Sequence, residues 1–267
     1  MQSGMGILNG IIRIRNRFFP SRPVAMVVGS AHRNGSIWLY NLLAQACLLY
    51  HGRRRLPPRF NEFGTVSLDV PGAVEYLQSQ RGACIFKTHS SPDCLSRTQG
   101  NIRCVTIHRD PRDVVVSIIH YLARLDPVRC GWGGAALGPR DRILAFLEDG
   151  EFALWRLEKW FHATHAVKTS YEALLADTEG ELVRILAQLD MSAHTARIRN
   201  SVRDCGFQRM RLRQERRGEK DPGMRKGITG DWRNHFDDEC VRVFKQSGQG
   251  RWNSLLVEMG YESDSDW

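Results

Sequence analysis

Between residues 24 and 38 an apolar, strand-forming run meets a glycine-punctuated loop and then a helical pattern: Val24-Ala-Met-Val-Val-Gly-Ser-Ala-His-Arg-Asn-Gly-Ser-Ile-Trp38. No other stretch restricts the fold as strongly. A strand (Val24 to Val28) enters a loop with glycines at Gly29 and Gly35 and leaves as a helix, Trp38 to Leu49. Such a unit is an anion cradle, because free backbone N–H groups and the positive end of the helix dipole converge on the loop. The cradle is not that of an ordinary ATP site. The G-x-x-x-x-G-K-[ST] pattern demands Lys directly after its second glycine, whereas Ser36 follows Gly35 here. The loop's cation is Arg33, and an indole, Trp38, stands just beyond.

Further runs of the same kind follow. Ala83 to Phe86 and Ile102 to Ile107 are short and continuously apolar, as buried parallel strands are. The first ends in Lys87-Thr88-His89, the second in His108-Arg109-Asp110. A helix opens at Pro111, a favoured first-turn position, and extends to about Arg124. A short helix is expected over 71–81, and a long one from Pro139 to His165, interrupted near Gly150. A strand over Ala166 to Thr169 leads to Tyr171 and helices through about 204, and a last helix covers 237–246. Loops are expected over 53–65, over the glycine-rich 125–139, and over the basic stretch 211–230, which has no apolar period and reads as a lid.

Strands alternating with helices imply an α/β fold of three layers, with a central, mostly parallel sheet and helices on both faces, P-loop NTPase-like. At 267 residues the chain fits a single domain over 1–267, with 1–22 as an N-terminal arm. In such sheets ligands bind beyond the carboxyl ends of the strands. The loop 29–38, Lys87-Thr88-His89, Arg109-Asp110 and Ser170-Tyr171 all fall there. By residue type alone, Asp110 or Asp113 also fits a helix N-terminus and Arg109 a surface pair, His89 fits a packing histidine, and Trp38 a core aromatic.

A net charge of +9 suits a polyanionic partner, whether a phosphorylated cofactor, nucleic acid or an anionic membrane. Seven scattered cysteines form no C-x-x-C pair and read as free thiols in a reducing compartment, so cytoplasmic residence is expected. No apolar run approaches the roughly 18 residues a spanning helix needs. The segment 6–19 mixes Ile and Leu with arginines, which suits an arm or a weak interfacial helix and no stable membrane insertion. His162 and His165 lack nearby partners, so no metal site is expected.

Four segments, in order, resemble the cytosolic sulfotransferases that use 3′-phosphoadenosine 5′-phosphosulfate (PAPS). Arg33-Asn-Gly-Ser-Ile-Trp38 is similar to the family's 5′-phosphosulfate loop, Lys-Ser-Gly-Thr-Thr-Trp. Lys87-Thr-His89 matches its Lys-Thr-His. Arg109-Asp-Pro-Arg-Asp-Val-Val-Val-Ser117 looks like its 3′-phosphate segment. Arg225-Lys-Gly-Ile-Thr-Gly-Asp-Trp-Arg-Asn-His-Phe236 follows its Arg-Lys-Gly-x-x-Gly-Asp-Trp-Lys-Asn-x-Phe. Tyr171-Glu-Ala-Leu-Leu and Gly206-Phe-Gln-Arg-Met210 are fainter matches. Together they cover residues 24 to about 240.

The resemblance implies a sulfotransferase that moves a sulfonate from PAPS to a hydroxyl, less readily an amine, and releases adenosine 3′,5′-bisphosphate without a metal. His89 would be the general base. Arg33, where the family has lysine, would stabilise the leaving group as a fixed cation, since arginine does not give up its proton at neutral pH. Lys87 would share that task. Asn34, Gly35, Ser36 and Ile37 would line the phosphosulfate loop, and Arg109 and Ser117 would hold the 3′-phosphate, with Ser117 also at the catalytic centre. Arg225, Lys226 and Gly227 would close over that phosphate, and adenine would stack between Trp38 and Phe207 with Tyr171 and Met210 nearby.

The chain departs from the family at several places. His32 stands where proline is usual, Cys205 near a customary hydroxyl, and Asp-Asp-Glu-Cys after Phe236 where vertebrate members carry a dimer segment. Two other readings compete: a P-loop small-molecule or nucleotide kinase, and a PAPS-binding relative with little catalytic activity. A nucleic-acid binder is the third competitor, but no helix-turn-helix, zinc or RNP signature supports it. The acceptor, a small molecule, glycan or lipid hydroxyl, would meet loops 53–70, 91–100, 125–139 and 211–224.

Overall fold

Gly29 lies opposite Thr88 on one side and Thr106 on the other, so three strands reach the same level of one sheet in parallel. These are β1 (Ala25–Gly29), β5 (Cys84–Thr88) and β6 (Ile102–His108); β2 (Tyr50–His51), β3 (Asn61–Glu62) and β4 (Thr65–Val66) lie between β1 and β5 in the chain, and β7 (Val167–Ser170) follows β6. The sheet order is β2–β5–β1–β6–β7, and β2 also pairs with β5 in parallel. The computed structural model describes residues 25–52, 56–62, 64–80, 82–96, 102–125, 137–216 and 225–267. Every residue of β1 is buried, the pattern of a central parallel strand covered on both faces.

The chain forms two compact units. One holds β1 with residues 36–107 and 163–205; the other holds 30–35, 108–162 and 206–267. In the first unit, helix α1 (Ser36–Ala46) buries Leu39, Leu42 and Leu43. Two hydrogen bonds tie β4 and the turn after it to the end of β5: Thr88 Oγ1 donates to the Val66 carbonyl at 2.7 Å, and Leu68 N–H donates to Ser90 Oγ at 2.8 Å. Helix α2 spans Ala73–Gln78. Burial pushes the Cys47 and Cys104 thiols up to about 12, which makes them packing groups.

In the second unit, helix α3 (Pro111–Leu125) packs with α4 (Pro139–Asp149) and α5 (Phe152–His162) around a core that includes Val114, Ile118, Phe146, Leu157, Phe244 and Trp252. The interruption between α4 and α5 falls at Gly150, as expected. A Cβ at that position would stand 2.6 Å from the Phe146 ring, so the chain turns where only glycine fits.

Capping defines the later helices. Ser170 caps α6 (Tyr171–Ala176), and Asp177 caps α7 (Thr178–Gln188), each accepting a backbone N–H three residues on. Helices α8 (Thr195–Asp204) and α9 (Phe207–Arg216) follow, and Asp237 caps α10 (Asp238–Gln246) ahead of α11 (Arg251–Glu258).

Four expectations are corrected. The loop over 53–65 contains a 3-10 turn (Pro58–Phe60) and the β3–β4 hairpin. The first helix stops at Ala46 instead of Leu49, and Tyr50–His51 after it forms an edge strand. Residues 211–216 are the second half of α9: arginine is a good helix former, and buried Met210 anchors the turn. The tail carries a further helix, α11. The arm 1–22, most of 125–139 and residues 217–224 lie outside the described residues.

Candidate active site

Within the second unit, the loop 30–35 holds its cation in a constrained posture. Arg33 has φ 72° and Gly35 φ 91°, both in the left-handed region that anion nests use in alternation with right-handed residues. Arg33 Nε donates to Ser117 Oγ at 3.2 Å, and its guanidinium lies 4.6 Å from the centre of the Tyr121 ring. Ser117 and Tyr121 stand one helical turn apart on α3, so they form one wall against Arg33. The motifs assign Ser117 to the 3′-phosphate segment and Arg33 to the sulfonate end; the fold joins them directly. Asn34 is fully buried, and its amide oxygen and nitrogen have no hydrogen-bond partner among the described residues. A buried amide left in that state costs free energy unless a polar group meets it, and a phosphate oxygen can accept from its Nδ2.

The expected 3′-phosphate residues come together in the same unit. Buried Asp113 accepts three hydrogen bonds: from Arg109 at 3.1 Å, from Gly230 N–H at 2.8 Å and from Trp232 N–H at 2.9 Å. Arg109 also donates to the Ile228 carbonyl at 2.7 Å. The start of α3 thereby fixes the loop 225–232. Inside that loop, fully buried Asp231 pairs with Arg225 and, at 2.8 Å, with Lys226, and it accepts from Asn234 at 3.0 Å. Burial raises the cost of that carboxylate, but the hydrogen bonds from Lys226, Arg225 and Asn234 outweigh it and hold the carboxyl well below its usual range. The stabilisation is therefore present above the ordinary carboxylate pKa and is lost only as pH falls through the lowered value. Gly227 has φ 70°, and a Cβ there would sit 2.4 Å from the Phe207 ring, which lies directly on the loop backbone.

In the first unit, Lys87 Nζ, near the end of β5, lies 3.5 Å from Nε2 of His89 just past it, both half-buried. Ser36 is buried and Ile37 exposed at the start of α1, whose first turn carries no acidic residue to repel an anion. The Trp38 indole meets the Tyr171 ring edge-on at 5.6 Å. Cys205 donates its thiol to Gln45 at 3.3 Å and so belongs to the α1–α8 contact. An open cavity of about 530 Å³ is lined by Leu68, Val70, Pro71 and Val74 together with Asp69 and Glu75.

Asp113, Asp231 and Tyr121 touch the candidate-site residues and were passed over by motif reading. The Gly-Asp-Trp run carried a signal for Asp231, because an acid between two cations and an asparagine is their natural counter-charge. Nothing local signalled Tyr121. Among the described residues, no group of three or more His, Cys, Asp or Glu is arranged to hold a metal ion, and no helix is long and apolar enough to cross a membrane.

Comparison with known proteins gives a consistent result. The family model described as "Sulfotransferase domain" matches residues 26–252. The chain is 24% identical over 250 residues to Sulfotransferase 1A1 of Rattus norvegicus, which covers 82% of this chain and 81% of that protein. It is 23% identical over 274 residues to Sulfotransferase 1E1 of Cavia porcellus, covering 91% and 88%. Among solved structures, a mouse sulfotransferase complexed with PAP superposes with a TM-score of 0.60 at 19% identity, over 90% of each chain. Retinol dehydratase in complex with androsterone and PAP gives 0.59 at 19% identity, over 90% of this chain and 82% of that one. At such identities the likeness shows the fold, a central parallel sheet flanked by helices of the P-loop-like class.

Proposed function

From the premise that this chain belongs to the sulfotransferase family, and is a PAPS-dependent enzyme transferring a sulfonate to a hydroxyl acceptor, we propose which of its residues do the work. The kinase alternative is not favoured. PAPS, as co-substrate, supplies a sulfonate whose bond to the bridging phosphate oxygen breaks while a new S–O bond forms to the acceptor oxygen. His89 takes the acceptor's proton. Arg33 faces the bridging oxygen and offsets its growing negative charge, with Lys87 as a second cation. Backbone groups of Asn34, Gly35, Ser36 and Ile37 bind the phosphosulfate. Arg109, Ser117, Arg225, Lys226 and Gly227 bind the 3′-phosphate, and Trp38, Tyr171, Phe207 and Met210 enclose adenine. One observation carries the reading: Arg33 donates to Ser117 across 84 residues of chain, linking the phosphosulfate loop to the 3′-phosphate segment.

The 3′-phosphate assignment has a direct test. Isothermal titration is expected to show adenosine 3′,5′-bisphosphate binding at least about tenfold tighter than adenosine 5′-phosphate, the equivalent of one charge-assisted contact of roughly 1.5–3 kcal/mol. Equal affinity for the two nucleotides contradicts it.

The acceptor is a small-molecule hydroxyl compound in this reading, and glycan and lipid hydroxyls are the alternatives. A cavity of about 530 Å³ falls in the range of small-molecule sites, roughly 300–1,000 Å³, and its two carboxylates disfavour an anionic glycan. Retinol dehydratase, crystallised with androsterone, makes terpenoid and steroid alcohols sensible members of a test panel. Incubation with radiosulfate-labelled PAPS and phenols, steroid alcohols, retinol, glycans and lipids is expected to label a small alcohol or phenol. Labelling confined to glycans overturns the acceptor assignment, and no transfer to any acceptor favours a nucleotide-binding relative with little activity. One domain over the whole chain, and residence in the cytoplasm, complete the proposal; the six described cysteines are free thiols, which agrees with a reducing compartment.

A further inference from the structure

Arg112 has no role in the scheme above, yet it is the most deeply buried cation described, at 1% exposure. Its guanidinium donates to both oxygens of Asp110, at 3.0 and 2.8 Å, and to Glu262 at 2.6 Å. It also lies between two indoles, 3.8 Å from the centre of Trp232 and 4.4 Å from that of Trp267. Trp232 ends the loop 225–232. Its ring is buried, and its indole N–H makes no hydrogen bond among the described residues. The ring is therefore held by its face and edge contacts: the guanidinium groups of Arg112 at 3.8 Å and Arg233 at 4.5 Å, and the edge-on rings of Trp267 at 5.6 Å and Phe236 at 5.9 Å.

Trp267 is itself pinned. Its indole N–H donates to Asn253 at 2.7 Å, and its carbonyl oxygen accepts from Lys245 at 2.5 Å. Phe244 meets its ring at 6.2 Å. Contacts thus run without a gap from helices α10 and α11 through Trp267 to Arg112, where Glu262 joins, and from Arg112 to Trp232. Asp113 holds the same loop from its backbone side. Backbone and ring are fixed by separate groups, so the ring side can be perturbed while the backbone side is left in place.

We propose that Glu262 and Trp267, acting through Arg112, are positioning residues that set the loop 225–232 for the 3′-phosphate of the nucleotide. The proposal rests on the reading of that loop as the 3′-phosphate clamp. Loosening the stack lets Trp232 shift, and with it the adjacent Asp231 that gathers Arg225 and Lys226. The consequence is selective: a ligand with a 3′-phosphate senses the change, and one without it does not.

Titration of three variants against adenosine 3′,5′-bisphosphate and adenosine 5′-phosphate tests this. Trp267→Ala is expected to weaken the bisphosphate about tenfold, equivalent to about 1.4 kcal/mol, and to leave the monophosphate unchanged. Trp267→Phe, which keeps an aromatic face, is expected to recover most of the loss, and Glu262→Gln to weaken the bisphosphate about threefold. Bisphosphate affinity at wild-type level in Trp267→Ala and Glu262→Gln overturns the inference, as does equal loss of both nucleotides, the mark of a merely structural role. Should Trp267→Ala fail to fold, Glu262→Gln, with its partly exposed side chain, decides between the two outcomes. A wild-type protein that does not distinguish the two nucleotides removes the 3′-phosphate reading itself, and this inference falls with it.

Discussion

His89→Asn is expected to lose at least about 10²–10⁴-fold in turnover, the usual worth of a positioned general base, while binding adenosine 3′,5′-bisphosphate as the wild type does. Hydroxyl acceptors hold their proton at neutral pH, so attack on sulfur requires a group that takes the proton as the bond forms. Lys87 Nζ lies 3.5 Å from His89 Nε2, so the proposed base and the proposed second cation stand side by side. Asparagine keeps the approximate size and hydrogen bonding of the ring but cannot accept a proton at neutral pH. Single-turnover measurement with labelled PAPS separates the chemical step from nucleotide release. Unchanged transfer in His89→Asn rejects the residue as base.

Arg33→Ala is expected to raise the barrier by about 2–4 kcal/mol, or roughly 30- to 1,000-fold in rate, by comparison with other oxyanion donors. The bridging oxygen gains negative charge as sulfur departs, and a cation already fixed in place need not reorganise to meet it. Ser117 and Tyr121 do the fixing, through a hydrogen bond at 3.2 Å and a ring face at 4.6 Å. Arginine's planar, delocalised head suits stacking on an aromatic ring better than an ammonium does. Arg33→Lys is accordingly expected to keep the charge, lose part of the orientation, and fall between wild type and Arg33→Ala. A turnover near wild type in Arg33→Ala contradicts the assignment and moves the leaving-group role to Lys87.

The strand–loop–helix unit, the ends of β5 and β6 and the interruption at Gly150 were legible because each depends on local rules: continuous apolar runs, loop glycines and caps. Helix 207–216 was not, because exposed arginines hide its period and Met210 is the deeply buried residue among those described along it. The hairpin at 61–66 escaped for a similar reason, since two-residue strands are too short to show alternation. In the candidate site, the cations and the imidazole stood out in the motifs, whereas the carboxylates that arrange those cations did not. Asp113 looked like an ordinary acid in a helix's first turn, yet it accepts two backbone N–H groups from more than a hundred residues away.

The order and chemistry of the candidate nucleotide-binding segments, and the α/β class that presents them, follow from residue types within a few positions of one another. Tertiary structure alone decided the partners: Arg33 with Ser117 and Tyr121, Asp113 with the loop 228–232, Arg112 with Glu262 and two indoles. The reason is physical. Helical and strand periodicity reaches only about four residues along the chain, while a charge taken out of water must find its counter-charge wherever the packed chain delivers one.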